Sequence, residues 1–368
     1  MTTTTDTARF SGPAIEAVHA RAYRIPTPGP ESDGTLQWDG TTIVVVDVEA
    51  AGVGGLGYTY ADASAAVVVE SLLADKLVGK DALMTPALHE TMRGAVRNQG
   101  PVGVCAMAIS AVDVALWDLH ARLLDLPLLA LFGRARERID AYGSDGFTSS
   151  SIDELAAHMH RYAKDGFPAA KMKVGREPSH DVARVRAARR AMGKGIDLFV
   201  DANGAYTAKE ALAFATKLAA FGVTWFEEPV PYEDVDATRF VRERAPARME
   251  IAGGEYAWGV LEARRVLEEG AVDVMQADIT RCGGFTGFFA IDALCRAYHV
   301  PLSTHCAPAL HAHAACAAPT VRHVEYFEDH ATIESKLFEG VVQPQGGVLT
   351  PDLAAPGHGL TFRRDVAE

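Results

Sequence analysis

The chain of 368 residues is too long for one minimal module and is expected to hold two or three units. With 48% hydrophobic and 23% charged residues it reads as a folded, soluble protein. Its 48 acids against 35 bases, a formal charge of −13, argue against nucleic acid and membrane as partners, and any anionic substrate then needs local cations to hold it.

The opening MTTTTDTARFSG lacks a basic stretch followed by an apolar one, so a cytoplasmic location is expected. Five cysteines in odd number, with no CxxC pairing, suggest neither a disulfide framework nor a thiolate zinc site. Cys282 and Cys306 each follow a polar candidate residue and are read as wall residues.

Residues 15–24 look like a strand, 26–40 like a Pro/Gly-rich loop, and the β-branched run 42–48 like a hairpin partner. Helical periodicity then takes over at 63–77, 87–96 and 103–124, completing an α+β cap. From about residue 137 short apolar strands alternate with amphipathic helical stretches. Strand-like segments fall at 139–143, 169–174, 198–202, 224–227, 249–252, 272–276, 302–305 and 323–326. Eight such repeats, without a GxGxxG turn after the first strand, describe a modified TIM (β/α) barrel rather than an open sheet. The expected division is an α+β capping domain over 1–134, completed by the tail 336–368, and a (β/α) barrel over 135–335.

In a βα barrel the chemistry sits at the C-terminal strand ends. Those ends are polar here: Lys171 and Lys173, Asp201 and Asn203, Glu227, Glu255, Asp278, His305 and Glu325. Period-two alternation puts Lys171 and Lys173 on one face, the lumen, where mutual repulsion and burial are expected to lower both proton affinities and make a base. Asp201, Glu227 and Glu255 come from three successive strand ends. Three converging carboxylates imply a hard divalent cation, Mg²⁺, one per site, with positions left for substrate. Asp278 is placed to hold the tautomer of His305. The HxH of His311 and His313 falls in a helix after the seventh strand and is not expected to bind metal. Together the set describes removal of a proton from carbon next to a carboxylate, through an ene-diolate.

These residues in this order resemble the enolase superfamily, and the mandelate racemase subgroup within it. The resemblance is carried by AVDVALWD and LFG in the cap, then KMK, DANGA, WFEEP, AGGE, QADITRCGG and STH in the barrel. It implies that Asp201, Glu227 and Glu255 ligate the metal and that Lys173 is the base on one face, with Lys171 beside it. His305 with Asp278 is then the acid or base on the other face, and Glu325 an acid at strand 8. Asn203 and Arg281 are implied as substrate contacts. Two cap loops, about 23–38 with Tyr23 and Trp38 and the Gly-rich 52–60, are expected to close over the mouth and hug the ligand. The expected activity is Mg²⁺-dependent dehydration of an acid sugar to a 2-keto-3-deoxy acid. Racemisation or epimerisation by 1,1-proton transfer is the alternative, and a silent carboxylate-binding barrel a remote one. A cycloisomerase is disfavoured, because muconate-type members rely on a lysine where Asp278 stands. The partner is a small carboxylate, and a homo-oligomer is expected.

Overall fold

Residues 11–367 are described in a computed structural model of the chain. The cap begins with a three-stranded antiparallel sheet of β1 (Ala17–Ser32), β2 (Gln37–Ala50) and β3 (Val53–Tyr60). The stretch Ile43–Val46 of β2 is apolar at every position because both faces are covered. Ile43 and Val45 point into the core shared with the barrel, while Val44, Val46 and Val48 point into the core of the cap helices.

That second core is organised by the helix Val104–Leu123, the one described helix long and apolar enough to cross a membrane, which is instead 78% buried inside the protein. Two glycines of β3 admit it. A Cβ on Gly57 would lie 2.1 Å from the carbonyl oxygen of Ala111, and one on Gly55 would lie 2.3 Å from that of Ala115.

Both expected cap loops are therefore strands. The 26–40 segment extends β1 to Ser32, with a register shift between Pro26 and Glu31, and the pairing resumes at Glu31 opposite Trp38. Of the glycines in 52–60, Gly55 and Gly57 hug a helix, while Gly52 and Gly54 face open space.

Eight parallel strands form the barrel: β4 (Ile139–Ser144), β5 (Ala169–Lys173), β6 (Asp197–Asp201), β7 (Val223–Glu227), β8 (Glu250–Gly253), β9 (Val274–Ala277), β10 (Leu302–Thr304) and β11 (Val324–Phe327). Each pairs with the next through β10, and β11 pairs back onto β4. Between β10 and β11 the wall is nearly closed by bridges, such as the 3.1 Å bond from the Glu325 amide to Thr304 Oγ1.

Helices on the outside start where their sequences cap them. Ser151 and Glu154 form a reciprocal capping box for the helix Ile152–Lys164, and Thr207 and Glu210 do so for Ala208–Leu218. The tail touches both domains. β12 (Phe338–Glu339) pairs with β14 (Thr361–Phe362), β13 (Val348–Leu349) adds to β4, and the His358 amide donates to Asp118 in the cap helix.

Candidate active site at the barrel mouth

Tyr142, Ala169, Phe199, Trp225, Ala252 and Val274, from six successive strands, fill the lumen as one apolar layer. Two residues further along, the same strand faces carry Lys171, Asp201 and Glu227, so the polar centre stands directly on this floor. Lys171, Lys173, Asp201, Glu227, Glu255, Asp278, His305 and Glu325 are all buried.

One oxygen or more from each of Asp201, Glu227 and Glu255 lies within 4.8 Å of the others. The lysines face them. Lys173 Nζ donates to Asp201 Oδ2 at 2.5 Å, Lys171 bonds Glu227, and Glu325 Oε1 is 2.7 Å from Lys171. Trp225, one layer down, donates its indole N–H to Glu227 Oε2 at 2.9 Å.

Burial, the largest single effect, would lower the Lys173 ammonium's pKa, but Asp201, Glu255 and Glu227 together outweigh burial and Lys171 and raise it above the usual lysine range. Lys171 is raised likewise, with Glu227 and Glu325 overcoming burial. This corrects the expectation of depressed lysines: chain order shows the neighbouring lysine but not the acids across the lumen. Burial lifts Glu227 to about 8, Lys171 pulling it down and Asp201 adding to the rise. Glu255 Oε2 is buried and accepts no hydrogen bond.

On the other side of the cluster, Asp278 Oδ2 is 2.8 Å from His305 Nδ1, while its Oδ1 accepts from the amide and hydroxyl of Thr280, both at 2.7 Å. With Nδ1–H committed to the carboxylate, Nε2 faces the site, 3.4 Å from Glu255 Oε2 and 3.3 Å from Cys306 Sγ. Burial would lower the imidazole's pKa, but Glu255 and the Asp278 bond win and raise it. Glu325 reaches from β11 to accept the Cys306 amide at 2.7 Å.

The implied substrate contacts divide. Asn203, at a positive φ of 45°, donates its amide to Asp201 at 2.9 Å and keeps its side-chain oxygen buried and unbonded. Arg281 is engaged with the protein, 3.6 Å from Glu255 and 3.7 Å from Asp278, with its guanidinium over the Tyr256 ring. Trp38 does reach the mouth, edge-on to Phe147 at 5.5 Å and packed in a cluster with Cys306 and Phe327. Tyr23 does not. Because its loop is a strand, Tyr23 sits well below the hairpin tip and packs on Phe362 of β14.

Sequence reasoning left Glu228 and Tyr256 without roles and read Cys306 as a wall residue, and it does pack in the wall, with Phe147 and Phe327. Strand alternation points Glu228 away from the lumen; a positive φ of 38° turns it back, buried beside the three acids with Oε1 unbonded. That turn has no signature in the residue pattern. His311 is satisfied, Nε2 accepting from the Ile279 amide at 3.1 Å and Nδ1 lying 3.0 Å from the Ala307 carbonyl oxygen.

Two family profiles match nearly the whole chain: "Mandelate racemase / muconate lactonizing enzyme, N-terminal domain" over residues 18–133 and "Enolase C-terminal domain-like" over 154–366. The chain belongs to the mandelate racemase/muconate lactonizing enzyme family. It is similar to the D-galactarolactone cycloisomerase of Agrobacterium fabrum, at 31% identity over 94% of this chain and 95% of that protein. Similarity to the 3,6-anhydro-alpha-L-galactonate cycloisomerase of Streptomyces coelicolor is 34%, over 95% and 97%. The arabinonate dehydratase of Saccharolobus solfataricus is 29% identical, over 85% of each. Among solved structures, a mandelate racemase/muconate lactonizing enzyme-like protein from Rubrobacter xylanophilus superposes with a TM-score of 0.94 at 49% identity, covering 96% of this chain and 99% of that one. An enolase from Bradyrhizobium complexed with magnesium and mandelic acid gives 0.88 at 28% identity, covering 97% and 98%.

Proposed function

We propose that the protein is a Mg²⁺-dependent enzyme that removes the α-proton of a hydroxycarboxylate and expels the β-oxygen, converting an acid sugar to its 2-keto-3-deoxy product. The observation that carries this is the pairing of Lys173 with the His305–Asp278 dyad on non-adjacent strands around one carboxylate cluster. Asp201, Glu227 and Glu255 suit a hard divalent ion: with Glu228, Asp278 and Glu325 they make six buried acids against the permanent cations Lys171, Lys173 and Arg281, and Glu255 keeps an unbonded oxygen. When bound, Mg²⁺ supplies charge stabilisation to the substrate carboxylate.

The chain's own residues do the rest. Lys173, once it has released the proton it holds toward Asp201, takes the α-proton as the neutral amine; Lys171, fixed between Glu227 and Glu325, supplies positive charge beside the reacting carboxylate. His305, carrying a proton on Nε2 once protonated, donates it to the departing oxygen while Asp278 stabilises the imidazolium. The aromatic floor keeps water from below.

A second reading follows from the same chemistry. Where the β-oxygen belongs to a ring, the two steps open the ring and the product is an isomer of the substrate, with no water lost. The cycloisomerase names of two relatives favour including it. A strand-6 lysine is not needed for that route, so the presence of Asp278 does not disfavour it.

The test is proton NMR in D₂O with Mg²⁺ and purified protein against aldonic, aldaric, cyclic sugar and aromatic 2-hydroxy acids. Loss of the C2 proton signal with new C3 methylene resonances is the expected outcome, with mass spectrometry separating loss of water from isomerisation. Exchange at C2 without new resonances assigns racemisation or epimerisation instead, and no exchange anywhere refutes the reading.

A further inference from the structure

The tip of the β1–β2 hairpin crosses the barrel mouth. At one side Gly34 rests on the strand ends that carry Lys173 and Asp201: a Cβ there would lie 2.2 Å from the Ala202 carbonyl oxygen and 2.8 Å from that of Val174. At the other, Trp38 packs with Phe147, Cys306 and Phe327, next to His305 and Glu325. Thr148, in the loop after β4, clamps the crossing chain by donating its amide to the Ser32 carbonyl at 2.7 Å and its hydroxyl to the Asp33 carbonyl at 2.8 Å. A substrate anchored by its reacting carboxylate has its distal end under this tip.

The charge of the tip is one-sided. Residues 26–40 contain Glu31, Asp33 and Asp39 and no lysine or arginine. Asp39 is exposed and paired outward with Arg24. Glu31 accepts from the Trp38 indole at 2.9 Å, and Asp33 Oδ1 accepts the Thr35 and Leu36 amides, both at 2.7 Å. Burial, then the charge of Asp329, raises the Glu31 carboxyl to about 7; Asp329 accepts the Thr41 hydroxyl at 3.0 Å, and the neighbouring Asp145 is matched by His158 at 2.6 Å. Glu31, Asp33 and Asp329 thus have hydrogen-bond donors but no cationic partner among the described residues. The cations of the site, Lys171, Lys173 and Arg281, are held at the reacting end by Glu227, Glu325, Asp201, Glu255 and Asp278. Arg176, beyond the end of β5, is exposed in the outer groove with Ile152 and His180, where its guanidinium lies 3.5 Å from Gln37 Oε1 of the hairpin.

We propose that this hairpin tip makes the site selective for singly charged sugar acids, the aldonate class, and against dicarboxylates of the aldarate class. The inference rests on the α-proton reading above and names its substrate class. A second carboxylate at the distal end would enter a field of like charge with no cation to receive it, and like-charge juxtaposition is discriminating even where it contributes little affinity. An aldarate whose far carboxyl is closed as a lactone is singly charged and falls on the accepted side.

The experiment compares pairs matched in stereochemistry, galactonate with galactarate and gluconate with glucarate, by kcat/KM for C2 proton exchange in the Mg²⁺-loaded enzyme. The accepted member of a pair is expected to be the aldonate, by about tenfold or more, which is the scale of one unfavourable charge pair. In E31Q/D33N, where both amides keep an oxygen to accept the same hydrogen bonds, the ratio is expected to fall several-fold. D329N is a second variant from a different element should the double variant fail to fold. Equal or faster exchange with the aldarates overturns the proposal, as does a preference unchanged by removing these charges. Absence of exchange with either member of every pair overturns this inference, and it refutes the α-proton reading as well when the cyclic and aromatic acids are equally silent.

Discussion

Lys173 shows how far one residue's chemistry depends on groups distant in sequence. Asp201, at 2.5 Å, with Glu255 and Glu227 behind it, holds the ammonium protonated against the opposing effects of burial and of Lys171. A divalent ion drawing on Asp201, Glu227 and Glu255 competes for the same negative charge, so metal loading and the readiness of the base are linked. Replacing Lys173 with Ala should abolish C2 proton exchange. His305→Asn should keep Lys173-driven exchange on one stereoisomer while product formation falls by about two orders of magnitude or more, the usual contribution of a positioned acid. Equal loss of both activities in His305→Asn would refute this division of labour. The residues themselves were legible in the sequence because strand parity is a strong constraint: KxK put both lysines in the lumen, and one acid per βα repeat put three together. Their protonation was not legible, since it is set by partners from 28 residues away (Asp201 to Lys173) to more than a hundred (Glu325 to Lys171). Tyr23 and Glu228 were missed for a related reason, one displaced by an unexpected strand and the other turned inward by a single positive φ.

At the scale of elements, glycine was the ambiguous signal. The sequence VGGLGY reads as a mobile ligand loop, and only the helix lying against it reveals that Gly55 and Gly57 exist for close approach. The barrel strands were placed to within a residue or two, because an apolar run between helices admits few alternatives. The cap hairpin was cut short by its prolines, which a strand tolerates at an irregular, bulged edge. The glycine assignment makes a paired prediction. Gly57→Ala should lower stability by about 2 kcal/mol or more, since the Ala111 carbonyl it would strike is backbone and cannot swing aside. Gly54→Ala, three positions earlier with open space around it, should be neutral or stabilise by about 0.5 kcal/mol. Thermal unfolding of the two variants checks this, and similar melting temperatures would contradict it.

The whole molecule is held together by polar contacts buried on the cap–barrel seam. Tyr58 of β3 donates its hydroxyl to Glu334 Oε1 at 2.6 Å, and Glu334 also accepts the Ala309 amide at 3.1 Å. Burial raises the Glu334 carboxyl to about 8, with the Tyr58 bond working against that rise. In the unfolded chain it titrates near 4.5, so the folded state binds the extra proton between those values. Its favourable contribution is complete below about pH 4.5 and is lost as pH rises through 8. Against Glu334→Gln, which cannot ionise, the wild type should lose relative stability between pH 5 and 8 at up to about 1.4 kcal/mol per pH unit. Chemical denaturation of both proteins at several pH values measures the slope, and a pH-independent difference would mean that Glu334 folds ionised.

The apolar layer of Tyr142, Phe199 and Trp225 has a consequence for isotopes. With this floor below and the hairpin tip seated above, a proton taken by Lys173 has no solvent path except through the mouth. Whether it mixes with bulk water or goes back to the carbon it left is then decided by how quickly the tip lifts relative to the reverse transfer. Deuterium entering the C2 position therefore counts openings of the hairpin as well as acts of chemistry, and a substrate that holds the tip down would turn over many times for each label it acquires.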